Sequence, residues 1–295
     1  MTRRSPLAVI PALTLAILGA ACGMTEDRNA PQDRSAIPAV SKDDRLSAMV
    51  PSDVKQDGRI LVGQDQTNPP TEFVENGEAR GMDVDLGRAV GQKLGVPVEF
   101  ENAAFDGIIP GVQSGRYEAA MSSFTINAQR LREVDMVSYL SAGISGAVPK
   151  GNPDRLTLDT LCGRNVAVQK GTLVVEDLVV RSGKCRAAGL PEINVQQFQN
   201  QTDANLALSA KRAHAMLADS PIVDYAIKQT DGTLEHLDKV YNTAPYGLVL
   251  PKGKGDYAKA VQGAIQALMD DGTYKRILDK WGVQGAIPMA EVNPG

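Results

Sequence analysis

Histidine is nearly missing from this chain: His214 and His236 are the only two in 295 residues. They lie too far apart in sequence to suggest a metal centre, and His214, inside the apolar run 213–217, reads as a packed strand residue. Aromatics are scarce too, with five Phe, seven Tyr and one Trp, so stacking platforms for bases are not to be expected. The net charge of −4 gives no basic footprint, and nucleic acid is excluded as a partner. No Ser–His–Asp order accompanies a nucleophile elbow, and Gly253-Lys-Gly255 is half a phosphate motif that reads as a surface turn. Neither catalytic residues nor a cofactor are called for. What is present in quantity is apolar residue, 43% of the chain, enough for one large or two medium domains.

The N-terminus reads as an export signal. Arg3 and Arg4 precede a short apolar core, Leu7 to Leu18, and small residues lead into Cys22. That core is too short for a membrane span. Leu18-Gly-Ala-Ala-Cys22 resembles a bacterial lipobox, so residues 1–22 are read as a lipoprotein signal with lipidation at Cys22; simple cleavage and secretion is the alternative. An extracytoplasmic protein held on the cell membrane by lipid follows. Residues 23–57 are rich in Asp, Ser, Pro, Arg and Ala without a sustained apolar period, and are expected to form a flexible tether. If Cys22 carries lipid, Cys162 and Cys185 are left to pair in an oxidising compartment. Such a bridge would contribute about 3 kcal/mol. Two unrelated buried thiols are the other reading.

Beyond Arg59 the pattern alternates. Apolar runs at 59–63, 96–100 and 117–121 read as strands, separated by a helix over 81–95 and a second one capped by Asp106. After Lys150 the alternation resumes, with strands at 164–168, 193–198 and 213–217 and helices between them. Two helices, 256–270 and 273–281, close the chain around the Asp271-Gly272 break, and 285–295 reads as a loose tail. Two successive α/β units with polar loops at their strand ends imply a ligand cleft between two lobes.

The stretch from Ala119 to Arg130 carries the clearest chemistry. A strand empties through Ser122, Ser123 and Thr125 into a helix start capped by Asn127. Free N–H groups and the helix dipole there favour an anion, and Arg130 adds a fork suited to carboxylate. A polar capping loop with a surface arginine is the plainer alternative.

Gly81-Met-Asp-Val-Asp-Leu86, Phe105-Asp-Gly-Ile-Ile-Pro110, Met121-Ser-Ser-Phe-Thr125 with Arg130, Gln169-Lys-Gly-Thr172, Ala218-Asp-Ser-Pro221 and Asp271-Gly-Thr-Tyr274 fall in one order. In that order the chain resembles the extracellular solute-binding proteins of family 3, amino-acid receptors of bacterial ABC importers. The resemblance covers about 59–281 and departs at Met82, where an aromatic or branched residue is usual. It implies a two-lobed, type II periplasmic-binding-protein-like α/β fold with two crossing hinge strands. Lobe one would comprise 58–142 and 248–284, and lobe two 146–243. The protein would be a monomer that captures a free amino acid and delivers it to an ABC permease.

By the same resemblance, Arg130 receives the ligand α-carboxylate and Asp219 the α-ammonium, with helix capping the local alternative for Asp219. Gly171 and Thr172 assist the carboxylate from lobe two. Ser122, Ser123 and Thr125 complete its surroundings, and Phe105 covers the ligand. Asp65 touches the ligand side chain. Asn68 and Thr71 stand where aromatic or large apolar residues are usual, and with Gln169 they make the pocket polar. A polar or cationic side chain is therefore expected, attracted by Asp65 and Glu72. Two other classes fit the same scaffold: a dehydratase-like enzyme using Asp65 or Glu72, and a sensing subunit that reports to a membrane signalling partner.

Overall fold

The computed structural model describes residues 39–295. The signal segment, Cys22 and the first part of the expected tether lie outside the described residues. A short helix, α1 (Asp44–Met49), comes first, with Asp43 accepting a hydrogen bond from the Leu46 N–H. Strand β1 (Ile60–Gln64) enters the sheet, and β2 (Thr67–Asn68), β3 (Glu72–Glu75) and β4 (Glu78–Arg80) form a small antiparallel sheet. The β3–β4 turn is Asn76-Gly77, both with positive φ (53° and 82°), as a two-residue hairpin loop requires. Helix α2 (Met82–Leu94) follows. Asp83 and Asp85 lie in its first turn, Lys93 in its last, and the left-handed Gly95 ends it. Then come β5 (Val98–Asn102), α3 (Phe105–Gln113), β6 (Ala119–Ala120) and α4 (Ala128–Glu133), whose N-cap is Asn127 as expected.

Strand β7 (Asp135–Pro149) is long enough to leave lobe one and enter lobe two. There β8 (Asn165–Gln169), α5 (Leu173–Ala187), β9 (Asn194–Phe198), α6 (Gln201–Ser209), β10 (Ala215–Asp219), α7 (Ser220–Gln229) and β11 (Leu234–His236) follow. Strand β12 (Tyr241–Leu250) crosses back beside β7, and α8 (Tyr257–Asp270) and α9 (Thr273–Trp281) return to lobe one.

A single sheet runs through both lobes in the order β5-β1-β6-β12-β7-β10-β8-β9. Each lobe contributes a parallel set (β5, β1, β6 and β9, β8, β10), and the antiparallel pair β7–β12 joins them. Register shifts interrupt that pair between Tyr241 and Ala244 and between Tyr246 and Gly247. Two apolar clusters flank the sheet in each lobe. The fold is thus two-lobed α/β with two crossing strands. Cys162 and Cys185 form a disulfide between the loop before β8 and the end of α5.

Both expected loose ends differ from expectation. Residues 39–57 lie on lobe one: Leu46, Val50 and Val54, spaced four apart, are 1–3% exposed and join the core around α2 and α8. The Leu46 side chain fits because residue 263 is glycine; a Cβ there would come within 2.6 Å of it. The segment after Gly282 is also tied down. Val292 bridges Val137, the Ser138 N–H donates to the Glu291 carbonyl, and Ala290 is buried. Composition hid both segments because three apolar residues among many polar ones suffice when they share one face. Helix α3 begins one residue before Asp106, and Ala104 is its N-cap. Asp106 therefore has another role.

Candidate functional site

Where the parallel strands of both lobes end, β1, β6, β8 and β10 deliver polar loops to one crevice. Its cavity, about 30 Å³, is lined from lobe one by Asn68, Phe105, Ser122, Ser123, Thr125 and Arg130. Lobe two lines it with Gln169, Thr172 and Asp219, and with Leu173, Val174, Gln201, Ala218 and Ile222. Of that last group, Leu173 is expected through its backbone N–H at the helix start, whereas Val174, Gln201, Ala218 and Ile222 are not among the expected ligand contacts. Gln201 carried a readable signal, since it opens a helix directly after a strand; Ile222 and Val174 follow simply from first helical turns facing the cleft.

Arg130 is fixed by its own helix start and by aromatics. The Asn127 side chain accepts from the Arg130 N–H (2.8 Å), and the guanidinium donates through Nη1 to the Thr125 carbonyl (2.8 Å). The guanidinium lies 5.7 and 5.3 Å from the Phe105 and Phe124 ring centres, and these rings stack on each other at 4.7 Å. Cation–π attraction holds the fork while leaving hydrogen-bonding edges free. Phe105 is thus part floor and part wall, under the arginine as well as beside the cavity.

Asp219 ends β10 and stands at the N-cap of α7, yet its side chain makes no capping bond. Instead it accepts from the Tyr246 hydroxyl of β12 at 2.7 Å. Burial pushes its carboxyl up to about 6 against the pull of Tyr246 and Arg130. Burial likewise lowers Arg130, which Asp219 and then Glu176 counteract. Arg130 and Asp219 attract across the cavity but form no direct ion pair. A zwitterion between them would complete both charges, and a low-dielectric cleft would strengthen both contacts.

Three expectations are revised. Asp65 does not line the cavity. It is 2% exposed, with its carboxylate accepting from the Thr67 hydroxyl (2.7 Å) and from Gln169 Nε2 of the opposite lobe. Burial raises its pKa above the ordinary value. Gly171 also misses the cavity: at φ 80° it abuts Asp106, and a Cβ there would lie 2.9 Å from the Asp106 Cβ. Asp106 itself pairs with Lys170 Nζ (2.7 Å) and accepts from Gln199 Nε2 (3.1 Å), joining lobe to lobe. Thr71 and Glu72 are fully buried in the wall, the Thr71 hydroxyl donating to the Asn68 carbonyl. The polar character of the pocket comes from Asn68, Gln169 and Gln201 instead.

Thr172 lines the cavity as the N-cap of α5, and its hydroxyl is engaged locally, donating to the Gln169 carbonyl (2.8 Å). The Gln201 N–H donates to Thr67 Oγ1 (3.1 Å). These lobe-to-lobe bonds seal the Asp65 rim. At the opposite rim, by α4 and α5, a hollow of about 550 Å³ shares Thr125, Leu173 and Asp219 with the cavity. His214 is not a packed strand residue: it lies one residue before β10, half-buried, and its Nδ1 accepts from the Asn165 N–H. Among the described residues no cluster of His, Cys, Asp or Glu is arranged to hold a metal, and no helix is long and apolar enough to cross a membrane.

Comparison with known proteins gives a consistent result. The arginine-binding protein ArgT of Corynebacterium glutamicum is 32% identical over 251 residues, 84% of this chain and 82% of its own. An ancestral arginine-binding protein bound to arginine superposes with a TM-score of 0.70 at 33% identity, covering 76% of this chain and 98% of that one. The structure of an ancestral arginine-binding protein bound to glutamine gives 0.69 at 33% identity, covering 77% and 99%. Residues 60–284 match the bacterial extracellular solute-binding proteins, family 3, and the chain belongs to that family.

Proposed function

We propose that the protein is the receptor of an ABC importer and closes around a free amino acid with a polar or cationic side chain. The observation that carries this is the placement of Arg130 and Asp219 on opposite lobes of one cavity. The α-carboxylate is taken by Arg130, the Ser122–Thr125 loop and the start of α5, and the α-ammonium by Asp219. Each lobe supplies one pole, so ligand favours the closed arrangement over the open one. The side chain extends toward the amides of Asn68, Gln169 and Gln201. A guanidinium or amide there can exchange bonds with Gln169 and reach Asp65 behind it. The relatives named for arginine and the glutamine-bound structure support this range of side chains.

Binding without chemistry is the favoured reading over a dehydratase. Glu72 is buried behind Ser122 and Ser123, and Asp65 is held by the neutral donors Thr67 and Gln169, so neither acid lines the cavity as a free acid–base group. Delivery to a permease, anchoring by lipid on Cys22, and action as a monomer complete the reading. Fatty-acid labelling of wild type but not of Cys22→Ala tests the anchor. For the ligand, calorimetric titration with L-arginine and L-glutamine is the test. Arg130→Ala or Asp219→Ala should remove binding while leaving the fold intact, and unchanged affinity in both variants overturns the site.

A further inference from the structure

Behind the ligand loop lie two carboxyls that the binding reading does not use. Glu72 (β3) and Asp83 (α2) are both fully buried. Glu72 accepts from the Ser122 hydroxyl (3.0 Å) and from the Ser123 hydroxyl (3.4 Å). Asp83 accepts at Oδ2 from the Ser123 N–H (3.0 Å) and from the Tyr139 hydroxyl (2.9 Å). Ser123 has φ 53°, a left-handed conformation that a non-glycine residue keeps only when its surroundings enforce it. The Asp83 Oδ1 atom has no hydrogen-bond partner, and the two carboxyls converge on one residue, Ser123, whose N–H goes to Asp83 and whose hydroxyl goes to Glu72. Two carboxyl groups can bond to each other only if a proton lies between them.

We propose that Glu72 and Asp83 are positioning residues: they share one proton, and in that singly charged form they hold Ser122 and Ser123 in the binding geometry. The proposal rests on the reading that the Ser122–Thr125 loop and Arg130 take the ligand carboxylate. Losing the shared proton places two negative charges in contact without solvent. The pair then separates, Ser123 loses its restraint, and the extra charge opposes an incoming carboxylate. The groups facing the pair offer little relief. They are Thr71, Asp65, Ser122 and Ser123 in the adjoining loops, Tyr139 from β7 and Tyr246 from β12. No lysine or arginine among the described residues pairs with either carboxyl. Burial, then the Asp83 charge, raises Glu72 well above the usual carboxylate range. Affinity is therefore lost toward alkaline pH, opposite to the acid-side loss from protonating Asp219.

Glu72→Gln is the discriminating variant, because its amide supplies a permanent donor to Asp83 and cannot ionise. L-arginine and L-glutamine are titrated from neutral to strongly alkaline pH, alongside ligand-free melting curves. Wild type is expected to weaken by about tenfold across this range and to melt earlier at its upper end. Glu72→Gln should change by less than about twofold and keep its melting temperature. Parallel melting profiles for the two proteins overturn the shared proton whatever the ligand does. Diverging melts with parallel binding profiles overturn the link to the loop. If Arg130→Ala binds as well as wild type, the ligand reading fails separately and the melting profiles still decide the proton. Should Glu72→Gln not fold, Tyr139→Phe removes one donor from Asp83 and tightens its hold on the proton. Both profiles must then move to higher pH, and unmoved midpoints overturn the proposal.

Discussion

Replacing Asp219 by asparagine separates binding from stability. The carboxylate is held by one Tyr246 hydrogen bond in a buried site, and burial moves its pKa from 3.8 to about 6. Keeping it charged near neutral pH therefore costs the unliganded protein about 3 kcal/mol. Asparagine keeps an oxygen for the Tyr246 hydroxyl and carries no charge. The variant should gain about 1–3 kcal/mol, and at this size each kcal/mol raises the melting temperature by about 2–4 °C. Binding moves the other way. A buried charge deprived of its partner costs about 2–5 kcal/mol, so affinity should fall by roughly thirtyfold to several thousandfold.

The pH dependence fixes the sign. The folded pKa lies above the unfolded one, so Asp219 contributes stability below about pH 4 and loses it as pH rises through about 6. The stability difference between variant and wild type should thus be near zero in acid and grow across that interval. Ligand affinity of wild type should fall below about pH 6, and binding near that pH should release protons, since an ammonium beside Asp219 lowers its pKa. Melting curves without ligand and calorimetry in buffers of different ionisation heat read both effects. A variant that is less stable than wild type, or that binds equally well, refutes the placement of this carboxylate.

Arg130→Lys keeps charge but loses the planar fork and its seat over Phe105 and Phe124; affinity measured by calorimetry should drop by about tenfold or more. Gly171→Ala sets a Cβ against Asp106 at a residue with φ 80°, so closure is hindered; small-angle scattering with saturating ligand should show a more open particle. Leu46→Ala should cost about 2–4 kcal/mol in denaturant unfolding with ligand affinity unchanged, because Leu46 packs on lobe one far from the cleft.

The order of elements was legible through local signals, whereas Arg130 and Asp219, which the fold brings to one cavity, are singled out by the family resemblance of their surroundings. Arg130 follows an N-cap within one turn, and Asp219 sits at a strand-to-helix junction. The acids were harder to place. Asp65, Glu72 and Asp106 all occur near strand or helix ends, where a charge reads equally well as ligand contact. Their side-chain directions depend on pleat and on the opposite lobe: Glu72 points inward from β3, while Asp65 and Asp106 meet Gln169 and Lys170 across the cleft. Such partners lie about a hundred residues or less apart along the chain and have no local signature, so only the assembled fold reveals them.

The distribution of these contacts also says how the cleft works. Lobe-to-lobe bonds gather on the rim of Asp65, Thr67 and Asp106, whereas the α4–α5 rim leaves a hollow beside Asp219. Glu176 lines that hollow, while Asp177 is already engaged by Arg181 (2.7 Å) and the Tyr241 hydroxyl (2.7 Å). An approaching cation meets the Glu176 carboxylate first and Asp219 beyond it. In the proposed binding mode, the field at this rim would favour entry with the ammonium leading and the carboxylate turning toward Arg130 as the lobes meet. Gln169 joins the two halves of this arrangement, since its amide lines the ligand cavity and also bonds Asp65 across the sealed rim. A ligand side chain that takes over that amide bond exchanges one lobe-to-lobe contact for another, which lets selectivity and closure be set at one residue.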